Sequence, residues 1–256
     1  MWLQELEKFM SNRHVALNPL SRTPFKLLKG WLAECDVNHQ ICQFDRNTSS
    51  TFNGPGRLIK LNIRDVSTVN LQEVAQLSHC PPYVALSHCW GQGPRVLTSL
   101  ENVSQHKIEL RVETLPKTFQ DAITVCRSTG IQYLWIDSLC IIQDDLEDWE
   151  IESEKMGYIF QNAYFTIAAS SASHDTDGFL LPRHPVMQSD TNFWCCEPID
   201  GLIIGNFQMR PDLGVDTGPL NRRAWVCMSR DSNISFPIFL CSCLAKYHIV
   251  PEPKKS

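Results

Sequence analysis

Three short apolar runs, set apart by helical segments, constrain this chain more than any other feature. Tyr83-Val84-Ala85-Leu86-Ser87, Tyr133-Leu134-Trp135-Ile136-Asp137 and Tyr164-Phe165-Thr166-Ile167-Ala168-Ala169 have the length of buried strands and are too short for helices. Between the first two, Thr114-Leu115-Pro116 opens a helix, with proline near the first position, where its missing N–H costs nothing. Phe119, Ala122, Ile123 and Cys126 fall at i, i+3, i+4 and i+7 on one face of that helix, and Gly130 ends it. Before the third run, the aspartates of Gln143-Asp144-Asp145 cap a helix spanning roughly Leu146 to Asn162. Strand, helix, strand, helix, strand predicts an α/β fold with a mostly parallel central sheet flanked by helices. Upstream, Arg57 to Ile63 alternates apolar and polar residues, as a half-buried strand does.

The rest of the chain brackets this core. Residues 1–56 read as an N-terminal extension with a possible short helix and a loop. Residues 57–225 form the domain, with its core at 83–175, and residues 226–256 form an irregular tail. The net charge of −5 argues against a nucleic-acid footprint built on phosphate contacts. No window approaches 18 uninterrupted apolar residues, so no membrane span is expected. Acids at Glu5 and Glu7 stand where a secretory leader carries basic residues, so an intracellular, cytoplasmic protein is expected. Eleven cysteines, an odd number without a leader, then read as reduced and mostly buried thiols. Cys35, His39 and Cys42 are near enough in sequence to share a metal. Zinc takes four ligands and no second pair follows, so no metal is expected.

In parallel sheets ligands bind beyond the carboxyl ends of the strands. Polar groups stand there after each run: Ser87-His88, Asp137-Ser138 and Ser170-Ser171. Side by side they make a polar crevice; taken singly they cap turns, and Asp137 accepts backbone N–H bonds in its own loop. In the helix from Leu146, Trp149, Met156, Phe160 and Ala163 share a stripe at 100° per residue. Glu152 projects into that stripe, while Glu147, Glu150 and Glu154 point away. A carboxylate on an apolar face must be paired, hydrogen-bonded or held at a raised pKa. Glu152 is thus either a structural carboxylate gripping a loop or an arginine such as Arg222 or Arg223, or a catalytic or ribose-binding acid. His88 and Cys89 are adjacent, so their side chains diverge on an extended strand end and make no nucleophile and base pair. G-x-S-x-G, H-E-x-x-H, the P-loop lysine motif and G-x-G-x-x-G do not occur.

Several of these stretches carry a resemblance. Tyr83 to Gly91 resembles the opening motif of the fungal heterokaryon incompatibility (HET) domain. Leu115-Pro116-Lys117-Thr118-Phe119-Gln120-Asp121-Ala122 and Tyr133 to Asp144 are similar to its second block, and Asp148-Trp149, Glu152, Met156 and Asn162 to Ala169 to its third. Trp31-Leu32 with Cys35, His39 and Cys42 resembles the lead-in, and Pro219 to Trp225 the block after the variable middle. After Trp225 the sequence departs from the family pattern. The resemblance implies a role in non-self recognition and regulated cell death, through self-association or other incompatibility proteins. It also implies remote kinship with Toll/interleukin-1 receptor (TIR) domains, hence a TIR-like or flavodoxin-like core, with NAD as a possible substrate and no required cofactor. On that reading Glu152, with Asp137 as a second carboxylate, stabilises the oxocarbenium-like state of glycosidic cleavage. Ser87, His88, Trp90, Ser138 and Trp149 would then bind the dinucleotide. The alternatives are a signalling domain without chemistry and an inactive truncated relative.

Overall fold

A computed structural model describes residue 16 and residues 18–38, 54–92 and 95–182, together with the backbone of 192–196 and 203–208. The expectations for His39, Cys42, Arg222, Arg223 and the tail at 226–256 lie outside the described residues. The chain divides into two compact units, one of residues 28–179 with 215–256 and one of residues 1–27 with 180–214. In the second unit β7 (Asn192–Cys196) and β8 (Ile203–Gln208) form an antiparallel pair with a register irregularity between Cys195 and Cys196. Helix α1 (Arg22–Asn38) crosses the boundary, and within the first unit it buries Leu28 and Leu32.

The first unit is built on one six-stranded sheet. Its strands are β1 (Arg57–Leu61), β2 (Thr68–Glu73), β3 (Val84–Ser87), β4 (Leu110–Arg111), β5 (Tyr133–Ile136) and β6 (Phe165–Ala168), in the spatial order β4-β2-β1-β5-β3-β6. The pairs β3–β5 and β3–β6 are parallel, while β1–β2, β1–β5 and β2–β4 are antiparallel. The sheet is therefore mixed, and the expectation of a mostly parallel one is corrected. A short connection at 62–67 joins β1 to β2, and a link that short permits only a hairpin, whereas parallel neighbours need a crossover. Asn62 accepts the amides of Arg64 and Asp65, and Asp65 in turn accepts from Ser67 and Thr68, so the turn closes on its own side chains.

The three predicted runs form the parallel half. All four residues of β3 are buried, as a strand with parallel neighbours on both sides requires. The chain leaves β3 through α2 (Val103–Ile108), β4 and α3 (Lys117–Thr129) to reach β5. It returns over β3 through a single turn, α4 (Asp137–Cys140), and α5 (Leu146–Asn162) to β6. Reversal of direction across β3 puts α3 and α5 on opposite faces, as right-handed crossovers demand. The contacts agree. On one face Tyr83 donates its hydroxyl to the Ile159 carbonyl at 2.6 Å, and Trp135 meets Phe160 edge-on at 5.3 Å. On the other, His88 meets Phe119 edge-on at 5.0 Å.

Local chemistry sets the helix ends where the sequence places them. Pro116 caps α3, and Gly130, at φ +87°, closes it; the Gly130 and Ile131 amides return to Cys126 and Arg127 in a Schellman turn. Phe119, Ala122, Ile123 and Cys126 are all buried. Asp145 caps α5 by accepting the Asp148 amide at 3.2 Å. Burial pushes the Cys140 thiol up to about 12 and raises that of Cys126 as well, so both stay protonated and inert at neutral pH.

A buried histidine ties the long excursion between β3 and α3 to the end of β5. The Thr98 hydroxyl donates to the Leu139 carbonyl at 2.7 Å, so at 2.9 Å its lone pair accepts the Nδ1–H of His106. Burial lowers the His106 pKa from its ordinary value of 6.5. The unfolded chain therefore binds a proton that the folded chain refuses, and stability falls as pH drops from about 6.5 toward the folded value. Urea unfolding from pH 8 to pH 5 will show this loss, and His106→Asn, whose amide replaces Nδ1–H, will reduce it.

Candidate functional site

The strand order reverses at β3, which lies between β5 and β6, and the carboxyl ends around such a switch point are where doubly wound sheets take ligands. The loop after β3 carries His88 and Trp90, the end of β5 carries Asp137 and Ser138, and the segment after β6 carries Asp175. The Trp90 indole N–H donates to both carboxylate oxygens of Asp137, at 3.1 and 3.0 Å. Asp137 also accepts the Ser138 amide at 2.7 Å, and its Oδ1 lies 3.8 Å from Nδ1 of His88. One carboxylate thus fastens the β3 loop to the β5 end. His88, Trp90, Arg95, Ser138 and Asp175 contribute to the wall of a narrow cleft, closed too tightly in this structure to admit a water molecule. Arg95 lies over the Trp90 ring, 5.3 Å from its centroid, and holds the Gly91 carbonyl at 3.3 Å. Gly91 has φ +75° and brings its backbone against the His174 ring, where a Cβ would sit 2.6 Å from Cδ2. A side chain there is excluded on both counts.

The segment after β6 is pinned to the start of α3. Thr118 donates its amide to the Asp175 carbonyl at 2.9 Å and accepts the Gly178 amide on its hydroxyl at 3.1 Å. Buried Asp121 pairs with Lys117 and accepts the Phe179 amide at 2.8 Å. Asp177 accepts the Ser173 and His174 amides.

Glu152 occupies a different place. It is 3 % exposed; one oxygen accepts the Gly56 amide at 3.0 Å, and the other pairs with Lys155 at 3.0 Å. Beside it Asp148 pairs with Arg57 and accepts the Ile142 amide at 2.8 Å, while Arg57 Nε donates to the Cys140 carbonyl at 2.8 Å. Burial alone would lower the Arg57 pKa, but the Asp148 bond and charge outweigh it and leave the guanidinium above its ordinary value. The first turns of α5 thereby clamp the start of β1 to the loop beyond β5. Glu152 does grip a neighbouring loop, the one carrying Gly56.

The residues singled out from sequence therefore fall into three groups. His88, Trp90, Asp137 and Ser138 meet at the switch point. Ser87 follows Tyr83 and Ala85 onto the α5 face, and its buried hydroxyl has no hydrogen-bond partner among the described residues. Glu152 belongs to the clamp, whereas Trp149, placed in the apolar stripe from sequence, is 47 % exposed at the start of α5. The buried stripe is instead Glu152, Ile159, Phe160 and Ala163. Arg95 and Asp175 were not singled out. Their only signal was position, Arg95 after Gly91-Gln92-Gly93 and Asp175 in the polar run beyond the third strand.

An α/β domain of doubly wound type, with an aromatic and acidic crevice at its switch point, is the class this arrangement defines. Residues 83–228 match the family described as Heterokaryon incompatibility protein (HET), and the chain belongs to that family. No curated protein and no solved structure matches it.

The clamp makes a specific prediction. A Cβ on Gly56 would lie 2.8 Å from the Glu152 carboxylate. Gly56→Ala should cost about 1–3 kcal/mol in urea unfolding by overpacking. Combined with Glu152→Ala, it should cost well under the sum of the single changes, because the clash disappears with the carboxylate.

Proposed function

We propose that this chain acts in fungal non-self recognition as a trigger of regulated cell death, in the cytoplasm, by associating with itself or with other incompatibility proteins. The observation that carries the reading is one exposed flank of α5. Ile151 and Tyr158, about 20° apart around the helix axis, are 46 and 51 % exposed there, beside the exposed Glu147 and Glu154. Apolar side chains rimmed by charge are the composition of a protein-binding patch rather than of an isolated surface. Membership of the family supports the biological role, and the clamp supports a structural task for Glu152.

A second reading is NAD hydrolysis. The gathering of His88, Trp90, Asp137 and Ser138 at the switch point favours it, since cleavage of the nicotinamide–ribose bond needs a carboxylate near the developing cation. On this reading Asp137 is better placed than Glu152, because it stands at the end of β5 beside His88, whereas Glu152 is packed in the clamp against Gly56 and Lys155.

Inducible expression with parallel measurement of viability and cellular NAD separates the two. The first reading expects Glu152→Gln to remain toxic, paired Ile151→Ser and Tyr158→Ser changes to abolish toxicity, and NAD to stay level in the surviving minority and the dying majority alike. A fall in NAD that Asp137→Asn prevents would overturn it in favour of the second.

A further inference from the structure

The apolar stripe of α5 begins before there is a sheet for it to cover. Asp148 and Glu152 meet Arg57 and Gly56, where β1 starts, so the first turn of the helix runs out past the end of the strands. Trp149 lies on the side that becomes core further along, at Phe160 and Ala163, yet it is 47 % exposed. Leu146, one turn before it, is 72 % exposed. Leu100 joins them from another loop and is 58 % exposed. Residues 98–100 run parallel beside 142–144, through the Thr98–Ile142 bridge and the Leu100 amide, which donates to the Asp144 carboxylate at 2.8 Å. Three large apolar side chains thus gather at the start of α5. At 100° per residue, Leu146 and Trp149 are centred about 160° round the helix axis from Ile151 and Tyr158, so this is a second surface.

Its rim is acidic. Glu101, Asp144, Glu147 and Glu150 are exposed, and none of them has an ion pair among the described residues. Residues 96–106 and 137–154 contain no lysine or arginine. Asp144 and Glu147 complement the positive end of the helix, whereas Glu150 stands beyond its first turn and Glu101 on a different element. Uncompensated carboxylates repel phosphate, so neither nucleic acid nor an anionic membrane suits this surface. A second copy of the same face is repelled as well. An apolar centre with a carboxylate rim fits an amphipathic helix that carries cations beside its apolar stripe.

We propose that Leu100, Leu146 and Trp149 dock a basic amphipathic helix of a partner protein, whose cations pair with Glu101, Asp144, Glu147 and Glu150. The inference goes beyond self-association through Ile151 and Tyr158 and does not rest on it.

Fluorescence anisotropy of the full chain with a labelled synthetic helix of leucine and lysine at amphipathic spacing tests it, beside the same helix with glutamate for lysine. The lysine peptide should bind and the glutamate peptide should not. Raising salt from about 0.05 to about 0.5 M should weaken binding, as the Debye length shrinks. Paired Leu146→Ser and Trp149→Ser changes should weaken it at least about tenfold, because a buried tryptophan anchor dominates such contacts. Paired Glu147→Gln and Glu150→Gln changes should weaken it less and flatten the salt dependence. Val66→Ser, at a likewise exposed apolar residue of the β1–β2 turn, should change nothing. All these positions are exposed, so unchanged urea midpoints will show that the variants fold. Equal binding of the two peptides, no binding at millimolar concentration, or binding that survives the Leu146→Ser and Trp149→Ser pair would overturn the proposal. So would a dimer of the chain that the same pair dissolves, since a second copy would then be the occupant.

Discussion

The fold of the crevice depends on a single carboxylate at the end of β5. Asp137 takes the indole N–H of Trp90 from the loop beyond β3 and the amide of Ser138 from its own turn, with His88 within 3.8 Å. Hydrogen bonds to an ionised acceptor are the stronger kind, at roughly 1.5–3 kcal/mol each. Trp90, once fixed, supplies the surface on which Arg95 lies. The neighbouring segment is held separately: Thr98 donates its amide to the Ser138 carbonyl at 2.9 Å, and the Gln143 amide returns to Thr98 at 2.8 Å. The chain after β3 and the chain after β5 are thus laced together before either turns into its helix.

A second group of bonds does a different job on the other side of β5. Arg57, Asp148, Glu152 and Gly56 fasten the antiparallel hairpin to the parallel half of the sheet. Removing one partner would leave a largely buried charge uncompensated, and such losses run to several kcal/mol. The two acids that sequence reasoning grouped as catalytic therefore divide the labour. Asp137 shapes the crevice, and Glu152 holds the hairpin that completes the sheet. A signalling domain needs this rigidity as much as an enzyme does, because exposed apolar side chains such as Ile151 and Tyr158 are presented usefully only on a fixed scaffold.

Much of this was legible in the residues. Period and capping placed α3 and α5 nearly to the residue, because Pro116, Gly130 and Asp145 act locally. The three buried strands were legible for the same reason, as short apolar runs between turn signals. Strand order was not. The pairing of β1 with β5 joins residues some 75 apart, Ile59 with Leu134, and no local pattern records it. Glu152 was correctly read as turned inward, but its partner Gly56 has no side chain to advertise the contact. Trp149 failed because periodicity gives a direction around the helix axis and not the depth of the neighbouring layer.

The most direct test of the central claim is the amide and indole hydrogen exchange of residues 88–92, with the Trp90 indole resonance identified from Trp90→Phe. The account predicts a protected Trp90 indole N–H in the native chain. It also predicts that Asp137→Ala releases both that proton and the loop amides while the α3 and β6 amides stay protected. An indole that exchanges freely in the native chain, or stays equally protected after Asp137→Ala, would contradict it.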